Sequence, residues 1–321
     1  MRPAAMIAVL IVATATTPAA HPAMHDGRGQ TQPSVSTARP AARDASSAAA
    51  LLRQRVVSEL TAIADRVDGV MSYTIVDLVS GDRISHRDAT ASPTASTIKL
   101  AILYELFRQA DEGRIRLDEA VPFDRGRGVA GSGVLFELSA PVLPLRDYAT
   151  LMIVLSDNSA TNLLIDRLGM PAITGRMRLL GLPNTKLRRA MMDLDAAKRG
   201  DENVSTAAEI ARLLEILYKG EGLSAAGRDE ALAILKKAKD SALVRGVPAN
   251  VPVASKPGEL DGVRVDAGIV YVPNRPYIVS IMLTYLAHDK DGDQAIEEAS
   301  RVTYGYFSRL AAGGEYGRLI R

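Results

Sequence analysis

The spacing of apolar residues predicts strands near both ends of the chain and helices between them. Residues 94–240 read almost entirely as helix. Strands at both ends with helices in between favour a sheet that is assembled from the two ends, with a helical part inserted in the middle. The elements predicted outside that part are helix 46–67, strands 70–78 and 83–87, strands 267–272 and 277–285, and helix 293–311.

The composition is that of an ordinary globular protein and narrows the function classes. Of 321 residues, 47% are hydrophobic and 24% are charged, which is enough for a substantial core. A net charge of +2 without a basic block gives no reason to expect a nucleic-acid partner. The chain has no Cys, which excludes disulfides and thiolate chemistry. Its four His form no metal-like cluster, so we do not expect a zinc hydrolase.

The N-terminus has the pattern of a secretory signal. Arg2 precedes an apolar run over 4–15, and small residues around 17–19 suit cleavage, so we assign 1–20 to a signal peptide. An uncleaved anchor is the alternative, although the run is short for a membrane span. Residues 21–45 are rich in Pro, Ala, Ser and Thr and are interpreted as a disordered linker. The mature chain should therefore be exported, periplasmic or extracellular, monomeric, and without a membrane span.

The first candidate motif is Ser96-Thr97-Ile98-Lys99, at the start of an apolar helix that is buried all round. Thr94 is a plausible cap, which would put Ser96 in the first turn, where developing negative charge is favoured. Ser96 and Lys99 share a helix face, and a desolvated Lys99 could activate the Ser96 hydroxyl. Taken alone, the pattern also fits a capping serine and a solvated lysine.

The second motif is Ser156-Asp157-Asn158, in a short polar loop between two apolar helices. Such a loop can direct side chains into a cleft, where Ser156 would relay a proton and Asn158 would bind a substrate amide. Asp157 or Ser159 could also simply cap the second helix.

The third motif is Lys256-Pro257-Gly258, just before the C-terminal strands. A cation on an edge strand, followed by Gly, permits the close approach of a substrate carboxylate. A simple turn would explain the same three residues.

Together, in this order, the three motifs resemble the set that class A β-lactamases and penicillin-binding proteins carry. The resemblance covers about 50–321 and includes Gly131 to Leu135 and the stretch from Leu145 to Asn162. It implies an α/β (α+β) fold of the β-lactamase/transpeptidase type, in which an antiparallel five-stranded sheet with helices on its faces adjoins an all-helical part. We assign 46–93 and 241–321 to the first part and 94–240 to the second.

The resemblance also implies catalytic roles. Ser96 resembles the family nucleophile, Lys99 its neighbouring base, and Ser156 the proton shuttle to the leaving nitrogen. No metal or cofactor is implied.

Substrate-binding roles follow in the same way. Asn158 resembles the amide contact and Lys256 the carboxylate contact, with Gly258 beside it. The oxyanion hole would consist of the backbone N–H groups of Ser96 and Glu259, whose side chain is immaterial to that role.

The active-site loop departs from the family pattern. Where the family has Arg-x-Glu, this chain has Arg189, Ala190 and Met191, and Met cannot act as a general base. Asp193 and Asp195 are nearby candidates for a substitute. Val204 stands where we expect the acid that pairs with the loop arginine, which puts the conformation of the loop in question.

Pro257 is the second departure, because the family has Thr or Ser there and a hydroxyl contact to the substrate carboxylate is lost. Pro lacks an N–H, so a strand tolerates it only at an edge. A strand that borders a cleft is such an edge, and the period of two then directs the Glu259 N–H to the same open side.

Three functional hypotheses remain open. The first is a β-lactam-reactive serine hydrolase. The second is a D-alanyl-D-alanine peptidase or esterase that uses the same Ser96, so the partner is a β-lactam or a D-alanyl peptide-like small molecule. The third is a sensor that is acylated and stays acylated. A Ser-His-Asp hydrolase is disfavoured, because the chain has no Gly-x-Ser-x-Gly elbow.

Overall fold

A five-stranded antiparallel sheet, with strand order β2-β1-β9-β8-β7, forms the centre of the fold. The structure is a computed structural model that describes residues 47–139, 141–314 and 316–319. The strands are β1 Val70–Asp77, β2 Arg83–His86, β3 Ser92–Pro93, β4 Ala120–Pro122, β5 Val142–Pro144, β6 Val204–Ser205, β7 Val253–Leu260, β8 Val263–Val270 and β9 Tyr277–Thr284. The helices are α1 Ala48–Arg66, α2 Lys99–Asp111, α3 Leu145–Val154, α4 Asn158–Leu168, α5 Met170–Leu179, α6 Leu194–Lys198, α7 Ala207–Lys219, α8 Ala225–Lys236, α9 Ala242–Arg245 and α10 Asp289–Ala312.

The two ends of the chain meet in this sheet, as the sequence predicts. β1, from the start, pairs along its full length with β9, from the end, in the register Val70↔Thr284 to Asp77↔Tyr277. β9 is buried at seven of its eight positions, because both faces of the sheet are covered. A continuous apolar run of this kind is typical of a central strand.

Two apolar cores lie on the two faces of the sheet. On one face, α1, α9 and α10 pack through residues such as Leu60, Ile296 and Phe307. On the other, α2 and the helices that follow it pack through residues such as Leu103, Met152 and Leu214. The second core adjoins α2, whose first residue is Lys99, so the start of that helix is fixed from several sides. The division of 46–321 into two parts stays a prediction.

The prediction of helix throughout 94–240 is only partly right. α2 to α8 lie there, but β4 pairs with β5, and β6 returns to pair with β3. These strands have two or three residues each, too few for a periodic signal.

The last helix and the strand before it also differ from the predicted bounds. α10 begins at Asp289 rather than 293, because Asp289 and Asp291 are favourable in a first turn. β8 begins at Val263, four residues before the predicted strand.

In the part of the chain that the structure describes, no helix has the length and apolar character needed to cross a membrane. The assignments of 1–20 to a signal peptide and 21–45 to a linker lie outside the described residues.

Candidate active site

Ser96 lies in a short 3-10 helix, Ala95–Ile98, that leads directly into α2. Ala95, just before it, has φ of 46°, a left-handed conformation that a non-glycine residue rarely adopts. Such local strain is common where a side chain must be presented at a functional site. The predicted side-chain cap by Thr94 is wrong: its hydroxyl donates instead to the carbonyl of Asn203, at 3.1 Å. The side chain of Ser96 is half-buried.

β7 passes very close to the backbone of Ser96. A Cβ at Gly258 would lie 2.8 Å from the Ser96 nitrogen and 2.9 Å from the Thr97 nitrogen, so only glycine fits there. The Thr97 hydroxyl also faces the Lys256 carbonyl across this contact, at 3.4 Å. The first and third sequence motifs therefore meet at one point, and β7 is an edge strand, as Pro257 predicts.

Lys99 is fully buried and its amine is held by the second motif. Nζ lies 2.7 Å from the Ser156 carbonyl, 3.0 Å from Ser156 Oγ and 3.1 Å from Asn158 Oδ1. Burial and the charge of Lys256 lower the pKa of Lys99 well below its usual value, against the opposing charge of Asp157. A lowered pKa favours the neutral form of the amine, whose lone pair can accept a proton.

The Ser156 hydroxyl lies between two amines. Lys99 Nζ is 3.0 Å from it and Lys256 Nζ is 3.2 Å from it. Ser156 has φ of 52°, so the loop that carries it is strained, as is the residue before Ser96. A hydroxyl that accepts from two donors keeps its own proton available for a third group, which suits a proton relay.

Asp157 is an anchor that the sequence analysis considers only as a cap. Its Oδ1 accepts from the Ala160 nitrogen at 2.9 Å and caps α4. Its Oδ2 accepts from the nitrogens of Val134 and Leu135, at 2.7 and 2.8 Å. The fully buried carboxylate thus fixes the neighbouring loop against Asn158.

Gly133 explains why that loop can approach so closely. It has φ of 95°, and a Cβ there would lie 2.1 Å from Asp157 Oδ2. Asn158 completes the join, because its Nδ2 donates to the Ala130 carbonyl at 3.2 Å.

Lys256 reaches the site from β7 and is 1% exposed. Besides Ser156 Oγ, its Nζ contacts the Pro257 carbonyl at 2.7 Å. Burial lowers the pKa of Lys256 to about 7, although the charges of Asp266 and Glu259 oppose that shift. The ammonium form is therefore available below pH 7 and is lost as the pH rises above it.

Comparison with known proteins shows the family of the chain. The model of a family described as the beta-lactamase enzyme family matches residues 55–307, most of the chain. The chain belongs to the beta-lactamase enzyme family. It is 30% identical to the beta-lactamase AST-1 of Nocardia asteroides over 71% of this chain and 76% of that protein. It is thus a class A β-lactamase-like serine hydrolase, and the resemblance inferred from the three motifs is confirmed.

Three solved structures have the same β-lactamase/transpeptidase-like fold. PBP-A superposes with a TM-score of 0.74 at 28% identity, over 80% of this chain and 97% of that one. A PBP-A variant described as an acyl-enzyme complex with penicillin-G gives the same values. An ancestral class A β-lactamase has a TM-score of 0.73 at 28% identity, over 78% of this chain and all of that one.

The active-site loop has Met191 at the position where the β-lactamase family has a glutamate. Met191 is 8% exposed, and Asn162 clamps its main chain. Asn162 Oδ1 accepts from the Met191 nitrogen at 2.8 Å, and its Nδ2 donates to the Met191 carbonyl at 3.1 Å. The two candidates for a substitute base are engaged elsewhere: Asp193 Oδ1 caps α6 through the Ala196 nitrogen at 2.9 Å, and Asp195 is exposed beside Lys198.

The loop arginine has an acidic partner, although Val204 is not it. Arg189 pairs with both carboxylate oxygens of Glu202, the closer at 3.0 Å. Asn203, next in the chain, accepts from the nitrogens of Arg188 and Arg189 at 2.7 and 3.1 Å. Its carbonyl accepts from the Thr94 nitrogen at 2.9 Å, so one residue ties this loop to the segment before Ser96.

The structure therefore brings six predicted site residues together: Ser96, Lys99, Ser156, Asn158, Lys256 and Gly258. Glu259 follows directly on β7 with an exposed side chain. Sequence reasoning assigns no role to Asn162, Glu202 or Asn203. Asn162 is a polar residue within an apolar helix, and Glu202 and Asn203 are adjacent polar residues before a β-bridge. These were the only signals for the three residues.

Proposed function

We propose that Ser96 is acylated by β-lactams and that the acyl-enzyme then hydrolyses slowly. The observation that carries the proposal is the environment of Lys99: a buried amine, its pKa lowered well below the usual value, one helical turn after the serine that follows the strained Ala95. A desolvated lysine beside a hydroxyl is a recognised way to activate a serine nucleophile.

Acylation would proceed in balanced steps. Lys99 takes the proton of the Ser96 hydroxyl while the oxygen attacks the β-lactam carbonyl, and the carbonyl oxygen becomes an oxyanion that the N–H groups of Ser96 and Glu259 stabilise. The C–N bond then breaks. The ring nitrogen receives the Ser156 proton, and Lys99 returns its proton to Ser156 along the 3.0 Å contact. The Lys256 ammonium would bind the substrate carboxylate.

Deacylation needs a general base that removes a proton from the attacking water, and we propose that this chain lacks an efficient one. The Met191 side chain cannot accept a proton, and Asp193 and Asp195 are respectively a helix cap and an exposed ion-pair member. General-base assistance is worth about 10²–10⁴-fold, so hydrolysis should be slower than acylation by a factor of that order.

A chromogenic cephalosporin tests the proposal. We expect a burst of one equivalent of chromophore per enzyme, followed by a slow steady state. Rapid linear turnover without a burst would contradict slow deacylation, and an absence of both burst and turnover would contradict acylation.

A peptidase or esterase that uses the same Ser96 is the second candidate function. Met191 favours this candidate. An enzyme whose natural substrate forms a different acyl-enzyme does not need a general base that hydrolyses the β-lactam acyl-enzyme. Turnover of a D-alanyl-D-alanine peptide or a thioester, with a trapped cephalosporin, would favour this candidate. A trapped cephalosporin without peptide or ester turnover would favour a sensor.

We also propose export of the chain, from the signal pattern in 1–20. N-terminal sequencing of periplasmic or secreted protein should start at about residue 20. A cytoplasmic product that retains Met1 would contradict it.

A further inference from the structure

Met192 is a side chain for which the reaction steps above have no use. It follows Met191 on the active-site loop and is 42% exposed. Its φ is 63°, in the left-handed region that residues other than glycine rarely adopt. Neither the solvent nor the backbone favours an apolar side chain in this place, and strain of this kind is concentrated at functional sites.

The loop holds Met192 in this conformation from both sides. Before it, the Asn162 side chain clamps the main chain of Met191. After it, the Leu194 nitrogen donates to the Met192 carbonyl at 3.0 Å, and Asp193 caps α6. The direction in which the Met192 side chain leaves the backbone is therefore fixed by the loop.

The Met192 side chain reaches the loop that carries Gly131, beside Asn158. A Cβ at Gly131 would lie 3.0 Å from Met192 Sδ and 3.0 Å from Asn158 Nδ2, so the thioether and the amide face the same point. Gly131 has φ of 99°, and a side chain there would crowd both groups. Glycine therefore keeps the space between the thioether and the amide open.

We infer that Met192 is a specificity-determining residue, whose thioether contacts the acyl side chain of the substrate and favours an apolar ring there. The inference rests on the proposed function and on Asn158 as the contact to a substrate amide. The atoms that follow such an amide lie within a few ångströms of Asn158, which is where Met192 Sδ and Gly131 are. The substrate class is thus an acyl donor whose amide bears an aromatic or other apolar ring.

The chemistry of the thioether supports a ring at this position. Methionine sulfur is polarisable and makes favourable contacts with the edge of an aromatic ring, at a distance of about 5 Å. The side chain also has three rotatable bonds, so it can adapt to rings of different shape. Its exposed surface is free of the packing that would prevent such adaptation.

The test compares two penicillins that differ only in the acyl side chain, which is phenylacetyl in one and acetyl in the other. Quenched intact-mass time courses give the rate constant of acylation for each, and the ratio of the two rate constants is the readout. Met192→Ala should lower the ratio of phenylacetyl to acetyl by about two- to tenfold, because the contact with the ring is lost. The amide and carboxylate contacts are common to both penicillins and cancel in the ratio.

Met192→Gly separates the contact from the strained backbone. Glycine adopts φ of 63° without strain, so this variant should resist urea better than Met192→Ala. Its ratio should nevertheless fall as far, because both variants lack the thioether. Leu194→Ala is the matched control: it removes a 58%-exposed apolar side chain two residues further along, and its ratio should stay at the wild-type value.

An unchanged ratio in both Met192 variants would overturn the inference. So would a ratio that falls in Met192→Ala but not in Met192→Gly, since a structural effect on the loop would then explain the fall, or an equal fall in Leu194→Ala. Failure of the proposed function is a separate outcome, because the wild type would then be acylated by neither penicillin.

Discussion

Replacing Asp157 with Asn should destabilise the fold more than any other isosteric change near the cleft. The wild-type carboxylate accepts three backbone hydrogen bonds, one from Ala160 and two from Val134 and Leu135. The amide of Asn has a single oxygen, which can take the place of either Oδ1 or Oδ2. Its NH₂ group then takes the other place, where it faces backbone N–H donors. The change replaces one carboxylate oxygen with an NH₂ group of nearly the same size, so packing is preserved.

The size of the loss in unfolding free energy follows from the buried N–H groups that are left without acceptors. If the amide oxygen stays with the loop, the Ala160 N–H and the amide's own N–H are unsatisfied in a site that is 0% exposed. Each such buried group costs about 1–3 kcal/mol, so the loss of two should lower the unfolding free energy by about 2–6 kcal/mol. At roughly 2–4 °C for each kcal/mol, the melting temperature should drop by at least ~4 °C.

Thermal and urea unfolding of the variant measure this loss, and Asp193→Asn is the matched control. Asp193 also caps a helix through one oxygen at 2.9 Å, but it is exposed, and Asn is itself a good N-cap. The control should therefore unfold within about 0.5 kcal/mol of the wild type. Equal stability of Asp157→Asn and the wild type would refute the anchoring role.

The same variant has a second readout in the pH profile. The charge of Asp157 raises the pKa of Lys99, so its removal should lower that pKa. The acidic limb of the acylation rate should then move to lower pH, because more Lys99 is neutral there. An unmoved limb would mean that Lys99 is not the base.

Three further predictions concern the loop, the carboxylate contact and a distant ion pair. Met191→Glu should accelerate the slow phase after the cephalosporin burst by about 10²–10⁴-fold, whereas Met191→Gln, of similar size but without a base, should not; equal rates would show that residue 191 does not face the acyl group. Lys256→Ala should slow acylation about ten- to a hundredfold for carboxylate-bearing substrates and far less for an uncharged ester, and equal slowing of both would count against the carboxylate role. Arg275→Ala should lower the unfolding free energy by about 1–3 kcal/mol, because it leaves the 4%-exposed Asp77 without its cation, and an unchanged urea midpoint would contradict this.

The sequence predicts the architecture well where a physical signal is long. β1 and β9 are eight-residue strands of mostly apolar residues, and α1 has apolar residues at helical spacing. The hydrophobic pattern of each element is therefore recognisable in the sequence. The pairs β3/β6 and β4/β5 are too short for a period, and their formation depends on contacts between distant parts of the chain.

The candidate site divides in the same way. The three motifs predict residues that the structure brings close together, because their chemistry and order are unusual in combination. The supporting contacts are less visible. Glu202 pairs with Arg189 although the sequence pattern points to position 204, since a loop can shift an acid by two residues without changing its partner.

The most direct test of the central claim is an intact-mass time course with a penicillin, on the wild type and on Ser96→Ala. Ring opening releases no leaving group, so the acyl-enzyme should gain the full mass of the penicillin, once per chain, within the burst phase. The account predicts that this adduct accumulates and decays slowly in the wild type and never forms in a folded Ser96→Ala variant. An adduct that survives the loss of Ser96, or a wild type that turns the penicillin over without accumulating any adduct, would contradict it.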